Sequence, residues 1–117
     1  MRYISTRGHE GSFTASQAIL RGIAPDGGLL VPDIIPQLDL EEITALCDLD
    51  YRGRAVRILS LFLDDYTQAE LEEAVDLAYD EEKFGEHPAP LVRLNKYNPY
   101  EYMLELWHGP TSAFKDM

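Results

Sequence analysis

The segment His108-Gly109-Pro110-Thr111-Ser112-Ala113-Phe114-Lys115-Asp116 sets the architecture of this chain, and it follows an apolar run that ends at Trp107. The pattern predicts a strand that stops at a Gly-Pro turn and passes into the first turn of a helix. Ligands bind where the strands of an α/β sheet end and helices begin. We therefore predict an α/β fold and a ligand site within this segment.

Lys115 carries the clearest chemistry of this segment. The positive end of a helix dipole and desolvation beside Trp107 and Phe114 both disfavour an ammonium group. A lysine in that setting is available as a neutral amine, which can attack an aldehyde. Taken without other motifs, the same pattern also fits an ordinary surface lysine at the start of a helix.

Capping signals and apolar periodicity predict four further helices. Asp39 and Glu42, like Thr67 and Glu70, have the spacing of capping boxes, and apolar residues repeat at helical period after each pair. The predicted helices run from Ser12 to Gly22, from about 40 to 48, onward from Gly53, and from Thr67 to a stop at Gly85. The third is apolar on more than one side, so we expect it to be well buried.

Four short extended segments complete the predicted elements. They cover residues 3–7, 28–32, 91–94 and 102–107, and the last two flank a turn at Asn98-Pro99. Asp26-Gly27-Gly28 precedes the second segment and has the composition of a tight turn with a positive φ. We interpret those two glycines as architecture, because they lack the spacing of a phosphate-binding loop.

The charge balance excludes several classes of partner. The 117 residues include 21 acidic and 10 basic residues, for a formal net charge of -11. Nucleic-acid binding draws affinity from lysine and arginine at phosphates, so DNA and RNA are poor partners. Anionic lipid surfaces are poor partners on the same ground.

The sequence also indicates a reducing, cytoplasmic setting. Cys47 is the only cysteine, so it offers neither an internal disulfide nor a zinc site, and its place in an amphipathic pattern predicts a small core residue. No apolar run reaches the ~18 residues of a membrane span, and the first residues lack the apolar region of a secretory signal. We therefore expect a cytoplasmic protein without a membrane partner.

Nine acids lie between residues 64 and 82 without a lysine or arginine among them. Such a run is typical of a solvated helix face. A hard-cation loop would need closely alternating oxygen ligands and a glycine, which this run lacks. We predict no metal site.

Three motifs together resemble one enzyme family. The segment from His108 to Asp116 is similar to the pyridoxal-lysine motif of the threonine synthase family. Gly22-Ile23-Ala24-Pro25-Asp26-Gly27-Gly28-Leu29-Leu30-Val31-Pro32 is similar to that family's second marker. Residues 1–8 also resemble the family's N-terminus, so the resemblance extends over the whole chain.

This resemblance implies a fold type II pyridoxal 5'-phosphate (PLP) enzyme. The resemblance also implies the reaction of the threonine synthase family. Its enzymes are lyases of threonine biosynthesis, and their small-molecule substrate O-phospho-L-homoserine reacts with water to give L-threonine and phosphate. Lys115 is then the catalytic and cofactor-binding residue, which holds PLP as a Schiff base and later moves protons at the substrate's α and β carbons. Thr111, Ser112 and Asp116 are implied candidates for substrate contacts or for capping the helix start.

The same pattern divides the chain near residue 88. Residues 1–88 are predicted to form a threonine synthase-like N-terminal domain of helices on a few short strands, and residues 89–117 the truncated start of the PLP-binding domain. Contacts to the cofactor's phosphate and ring nitrogen would lie beyond Met117. Because cofactor affinity is built from many contacts, we expect these residues alone to be inactive and not to retain PLP.

Two other functions fit the sequence. One is a threonine synthase-like phospholyase, which would eliminate phosphate without adding water at the same carbon. The other is an autonomous acidic module that docks a protein partner through its apolar helices. The sequence does not determine the oligomeric state.

Overall fold

The computed structural model describes residues 1–8 and 11–117, and these form a mixed α/β structure, as predicted. The chain divides into two compact units, Met1–Ala74 and Val75–Met117. The predicted boundary at residue 88 stays a prediction. Within the described residues the helices are α1 (Ala15–Arg21), α2 (Leu40–Ala45), α3 (Tyr51–Phe62), α4 (Gln68–Ala78) and α5 (Glu81–Phe84), with 3-10 turns at Leu46–Asp48 and Phe114–Asp116; the strands are β1 (Tyr3–Ser5), β2 (Leu30–Pro32), β3 (Leu91–Arg93) and β4 (Tyr102–Leu104).

The first unit contains an antiparallel hairpin of β1 and β2, in which Ile4 pairs with Val31. The strands lie within the predicted extended segments. Pro32 closes β2, where it has no N–H to donate to a further ladder bond. Tyr3 also exchanges backbone hydrogen bonds with Phe13, which brings the chain from β1 directly to the start of α1.

Helix α1 begins with a capping box. The Thr14 hydroxyl accepts a bond from Gln17 N, and the Gln17 side chain accepts one from Thr14 N at 3.0 Å. Ala15 and Ala18 face inward and are buried. The Asp65 carboxylate accepts from the backbone N–H of Ser16 at 3.0 Å and from its hydroxyl at 2.7 Å, so the segment before α4 is tied to the first turn of α1.

Replacing Asp65 with asparagine should make the free energy of unfolding fall less steeply as the pH decreases. The hydroxyls of Ser16 and Thr14 lower the pKa of Asp65 from 3.8 to about 2, so its charged form favours the folded state. That contribution is complete above the unfolded pKa of 3.8 and is lost as the pH falls through about 2. Urea unfolding across this pH window should show a shallower loss in Asp65→Asn than in the parent chain. Glu73→Gln, at another exposed acid, should keep the parent slope, and equal slopes in both variants would contradict the assignment.

Helices α2 and α3 lie close to their predicted positions, but α3 is less buried than predicted. Helix α2 has the predicted Asp39–Glu42 capping box. Asp50 caps α3 through Gly53 N at 2.7 Å, so this helix begins before Gly53. Val56 is buried, whereas the other apolar residues of α3 are only half-buried, because a helix that is apolar on several sides needs a packing partner on each side.

Cys47 is exposed, and its prediction as a small core residue is wrong. It lies in the 3-10 turn Leu46–Asp48, which continues directly from α2. The rest of the predicted apolar stripe is unburied too, with Leu40 79% and Ile43 49% exposed, so this face of α2 offers no packed core for Cys47 to join.

Helix α4 shows the Thr67–Glu70 capping box, with Thr67 N donating to Glu70 Oε2 at 2.7 Å. Leu71 and Val75 are buried on one face, as their spacing predicts. The helix ends at Ala78 instead of continuing to Gly85. The reason is a new helix start, in which the Asp80 carboxylate accepts from Lys83 N at 2.9 Å and caps α5.

The acidic run 64–82 is largely solvated, as predicted, yet four of its members have specific structural roles. Asp64 pairs with the N-terminal amine, and the carboxylates of Asp65, Glu70 and Asp80 accept bonds from backbone N–H groups at helix starts. Carboxylates at such positions satisfy backbone N–H groups that lack a helical partner. Several carboxylates of this run therefore stabilise the starts of helices. Within residues 1–8 and 11–117, no group of three metal-ligating side chains is present.

The buried hydrophobic side chains of the second unit include Val75 and Phe84, and the Phe84 ring lies 5.2 Å from that of Tyr79. The predicted hairpin around Asn98-Pro99 is confirmed, with Val92 opposite Met103 in antiparallel register. All six paired residues of β3 and β4 are exposed. Among the helices of the described residues, none combines the length and the apolar character that a membrane span requires.

Candidate functional site

The candidate site is the segment that follows β4 in the second unit. The strand ends at Leu104, three residues earlier than predicted, and an irregular stretch leads to the 3-10 turn Phe114–Asp116. This turn takes the place of the predicted helix start. It carries Lys115 at its centre.

A close contact between Gly109 and Asp116 gives the segment its shape. Gly109 is buried, and a methyl group at its Cα would collide with the Asp116 side chain, with its Cβ 2.6 Å from Oδ2. Ser112 N donates to Gly109 O at 3.0 Å, and Ser112 has a φ of 55°. That left-handed conformation costs energy in a residue other than glycine. The chain therefore folds back so that Asp116 packs on Gly109.

Thr111 and Asp116 bind each other through two hydrogen bonds. Thr111 N donates to Asp116 Oδ2 at 2.8 Å, and Thr111 Oγ1 donates to Oδ1 at 2.6 Å. The hydroxyl, followed by the backbone N–H, lowers the pKa of Asp116. The structure thus brings together Thr111 and Asp116, two of the predicted site residues, and their mutual hydrogen bonds stabilise the turn. The Ser112 side chain is exposed.

Lys115 is exposed, which contradicts the expected shielding of its amine. Trp107 is 49% exposed and Phe114 is 66% exposed, so the expected packed aromatic surface beside the lysine is not formed. One 3-10 turn also lacks the aligned peptide dipoles of a longer helix. Among the residues that the structure describes, none hydrogen-bonds or pairs with the Lys115 ammonium group.

A side-chain hydrogen bond lies just before the turn, and sequence reasoning missed it. His108 Nε2 lies 2.7 Å from Glu105 Oε2, and the His108 ring stacks on Trp107 with centroids 5.8 Å apart. These contacts fix the direction in which the chain leaves β4. The spacing of three residues between Glu105 and His108 was the available signal. The hydrogen bond and the ring stacking give His108 a structural role.

The other motif, in the first unit, builds a compact polar cluster around Asp26. The Asp26 carboxylate accepts from Ser5 Oγ at 2.7 Å and from Gly28 N at 2.9 Å. Ser5 Oγ accepts from Arg7 N, and the Arg7 guanidinium donates to Asp26 O at 3.2 Å. Gly27 has the predicted positive φ, 77°. The cluster locks the turn before β2 onto the end of β1.

Replacing Gly28 with alanine should destabilise the chain by about 2 kcal/mol, the usual cost of forcing an extra carbon into a filled space. The new Cβ would collide with Ser5 Oγ and lie 3.1 Å from both Arg7 N and Asp26 Oδ1. Urea unfolding measures the change. Leu29→Ala removes a neighbouring side chain that is 65% exposed and should shift stability by less than ~0.5 kcal/mol. Equal shifts in the two variants would show that the cluster is not tightly packed.

Comparison with known proteins shows that this chain is similar to the N-terminal part of threonine synthases. A family model described as the threonine synthase N terminus matches residues 2–79. Threonine synthase from Methylobacillus glycogenes is 37% identical over 100% of this chain and 26% of the relative, and human threonine synthase-like 2 is 35% identical over 100% and 24%. The crystal structure of PLP-bound threonine synthase from Brucella melitensis superposes with a TM-score of 0.85 at 40% identity, over 99% of this chain and 24% of that one. The chain spans about a quarter of the length of these relatives.

Proposed function

This chain belongs to the threonine synthase family, and from that premise we propose that it forms part of an enzyme that converts O-phospho-L-homoserine and water to L-threonine and phosphate. The observation that carries the proposal is the match to a PLP-bound enzyme over 99% of this chain, which includes the turn with Lys115. Residues 1–88 and 89–117 would contribute to two different domains of that enzyme.

The residues of the turn fit PLP as a cofactor. Attachment of its aldehyde needs a reachable amine without a partner, and Lys115 offers one, since it is exposed and unpaired within the described chain. When bound, PLP supplies an electron sink for carbanion chemistry at the substrate. The protein supplies binding, orientation and proton transfer.

Within this proposal each residue of the turn has its own task. Lys115 binds the cofactor and moves protons at the substrate's α and β carbons. Thr111 and Asp116, which the sequence nominated for substrate, hold the turn through their mutual bonds. The exposed Ser112 hydroxyl is the group of this set that can reach a substrate oxygen.

A chimeric enzyme tests the proposal. The 117 residues would replace the matching 24% of the Brucella melitensis threonine synthase, and threonine and phosphate would be measured from O-phospho-L-homoserine. We expect an active chimera that binds PLP. The 117-residue chain alone should form no threonine, because too few cofactor contacts remain. A folded chimera that binds PLP but forms no product from this substrate would contradict the proposed reaction.

A phospholyase is the second candidate. The human threonine synthase-like 2 protein matches the whole chain at an identity close to that of the bacterial synthase, 35% against 37%. The same chimera, built on that protein, separates the two reactions by product analysis. Threonine indicates addition of water at the β carbon, and a keto acid with ammonia and phosphate indicates elimination alone.

A further inference from the structure

We propose that Thr111 sequesters the Asp116 carboxylate from its neighbour Lys115, so that the lysine amine stays free to react with an aldehyde. The inference rests on the proposed function of Lys115 and assigns Thr111 and Asp116 as positioning residues. It goes beyond a capping role, because it concerns which partner the carboxylate takes.

Both oxygens of the Asp116 carboxylate are engaged by Thr111. Oδ2 accepts the backbone N–H at 2.8 Å, and Oδ1 accepts the hydroxyl at 2.6 Å. The second distance is short for an O–H···O bond and is typical of one that ends on a charged oxygen. Two bonds from one residue fix the orientation of the carboxylate as well as its position.

Gly109 keeps this orientation in place. The Asp116 side chain packs directly on the Gly109 backbone, where a Cβ would lie 2.6 Å from Oδ2. Gly109 is buried, so its backbone has little room to move away from the Asp116 side chain. Rotation of the carboxylate towards Lys115 would therefore break two hydrogen bonds and a packed contact together.

The neighbouring lysine is the natural alternative partner. An adjacent carboxylate stabilises an ammonium ion and so withholds the neutral amine that attacks aldehydes. Glu105 and His108 already pair with each other, and the Glu101 carboxylate accepts from the Asn98 side chain at 2.7 Å; Arg93 and Lys96 are the basic side chains of the hairpin. The terminal carboxylate of Met117 is common to every variant compared below. Asp116 is thus the carboxylate next to Lys115 whose position a substitution at residue 111 can alter.

Reductive labelling of the 117-residue chain tests this inference. With PLP and borohydride, the amine condenses with the aldehyde, water leaves, and hydride reduces the C=N bond. Peptide mass analysis then gives the label at Lys83, Lys96 and Lys115 separately. Lys96 serves as the internal reference, because Lys83 is paired with Asp80.

Thr111→Val removes the hydroxyl and should lower Lys115 labelling relative to Lys96 by about threefold or more near neutral pH, with the pH profile moved upward. Thr111→Ser keeps the hydroxyl and should label like the parent chain. The double variant Thr111→Val/Asp116→Asn should restore labelling at Lys115, since it removes the competing carboxylate. Asp116→Asn alone should label at least as well as the parent.

Two results would overturn the inference. An unchanged ratio of Lys115 to Lys96 in Thr111→Val would show that the hydroxyl does not control the amine. A double variant as poorly labelled as Thr111→Val would show that Thr111 only maintains the shape of the turn. Labelling at Lys115 can depend on the residue at position 111 even if the chimera forms no threonine. This inference and the proposed reaction can therefore fail separately.

Discussion

Replacing Lys115 with alanine in the chimeric synthase should reduce threonine formation by at least about a thousand-fold, as expected when the group that forms the covalent attachment is removed. No other residue of the turn carries an amine. The substrate cannot be processed without cofactor attachment and proton transfer, and both tasks are assigned to this side chain. Initial rates of threonine and phosphate release measure the effect.

Lys96→Ala is the matched control for this variant. Lys96 also follows an exposed strand of the same hairpin, and its ammonium group lies over the Tyr97 ring, 4.9 Å from the centroid. Its loss should leave the rate within about twofold of the parent, as for a surface substitution remote from the chemistry. Comparable losses in the two variants would mean that lysine replacement damages folding and would remove the evidence for Lys115.

The largest loss of stability should follow Leu71→Ala. Leu71 is 3% exposed on α4, and removal of a buried leucine side chain costs about 3 kcal/mol through lost transfer energy and the cavity left behind. Domains of this size have only about 5–15 kcal/mol of total stability. Urea unfolding should therefore show a much lower midpoint with an unchanged slope.

Leu77→Ala provides the comparison on the same helix. Leu77 is 64% exposed, so its replacement should change stability by less than ~0.5 kcal/mol. Both variants remove the same atoms from α4 and differ only in burial. An equal effect at the two positions would show that α4 does not pack through the face that contains Leu71.

Much of the fold could be predicted from local signals. The pairs Asp39–Glu42 and Thr67–Glu70 marked two helix starts correctly, because a capping box is complete within four residues. The end of α4 was missed for the opposite reason. Asp80 had been grouped with the solvated acids, and its role as a cap depends on where the chain bends after Ala78.

Less of the site could be predicted. The sequence singled out Lys115, Thr111 and Asp116, and the structure places the last two in direct contact. The contact depends on the left-handed backbone at Ser112 and on the close packing against Gly109, which a residue pattern does not specify. The expected shielding of Lys115 was wrong because it assumed a full helix and packed aromatic rings.

The most direct test of Lys115 as the site of cofactor attachment is borohydride reduction of the PLP-loaded chimera, followed by peptide mapping. Reduction makes the bond between amine and cofactor permanent, so the modified residue can be read from peptide masses. We predict a single pyridoxyl label on Lys115, with Lys83 and Lys96 unmodified. A label on another lysine of the active chimera, with Lys115 unmodified, would contradict the assignment.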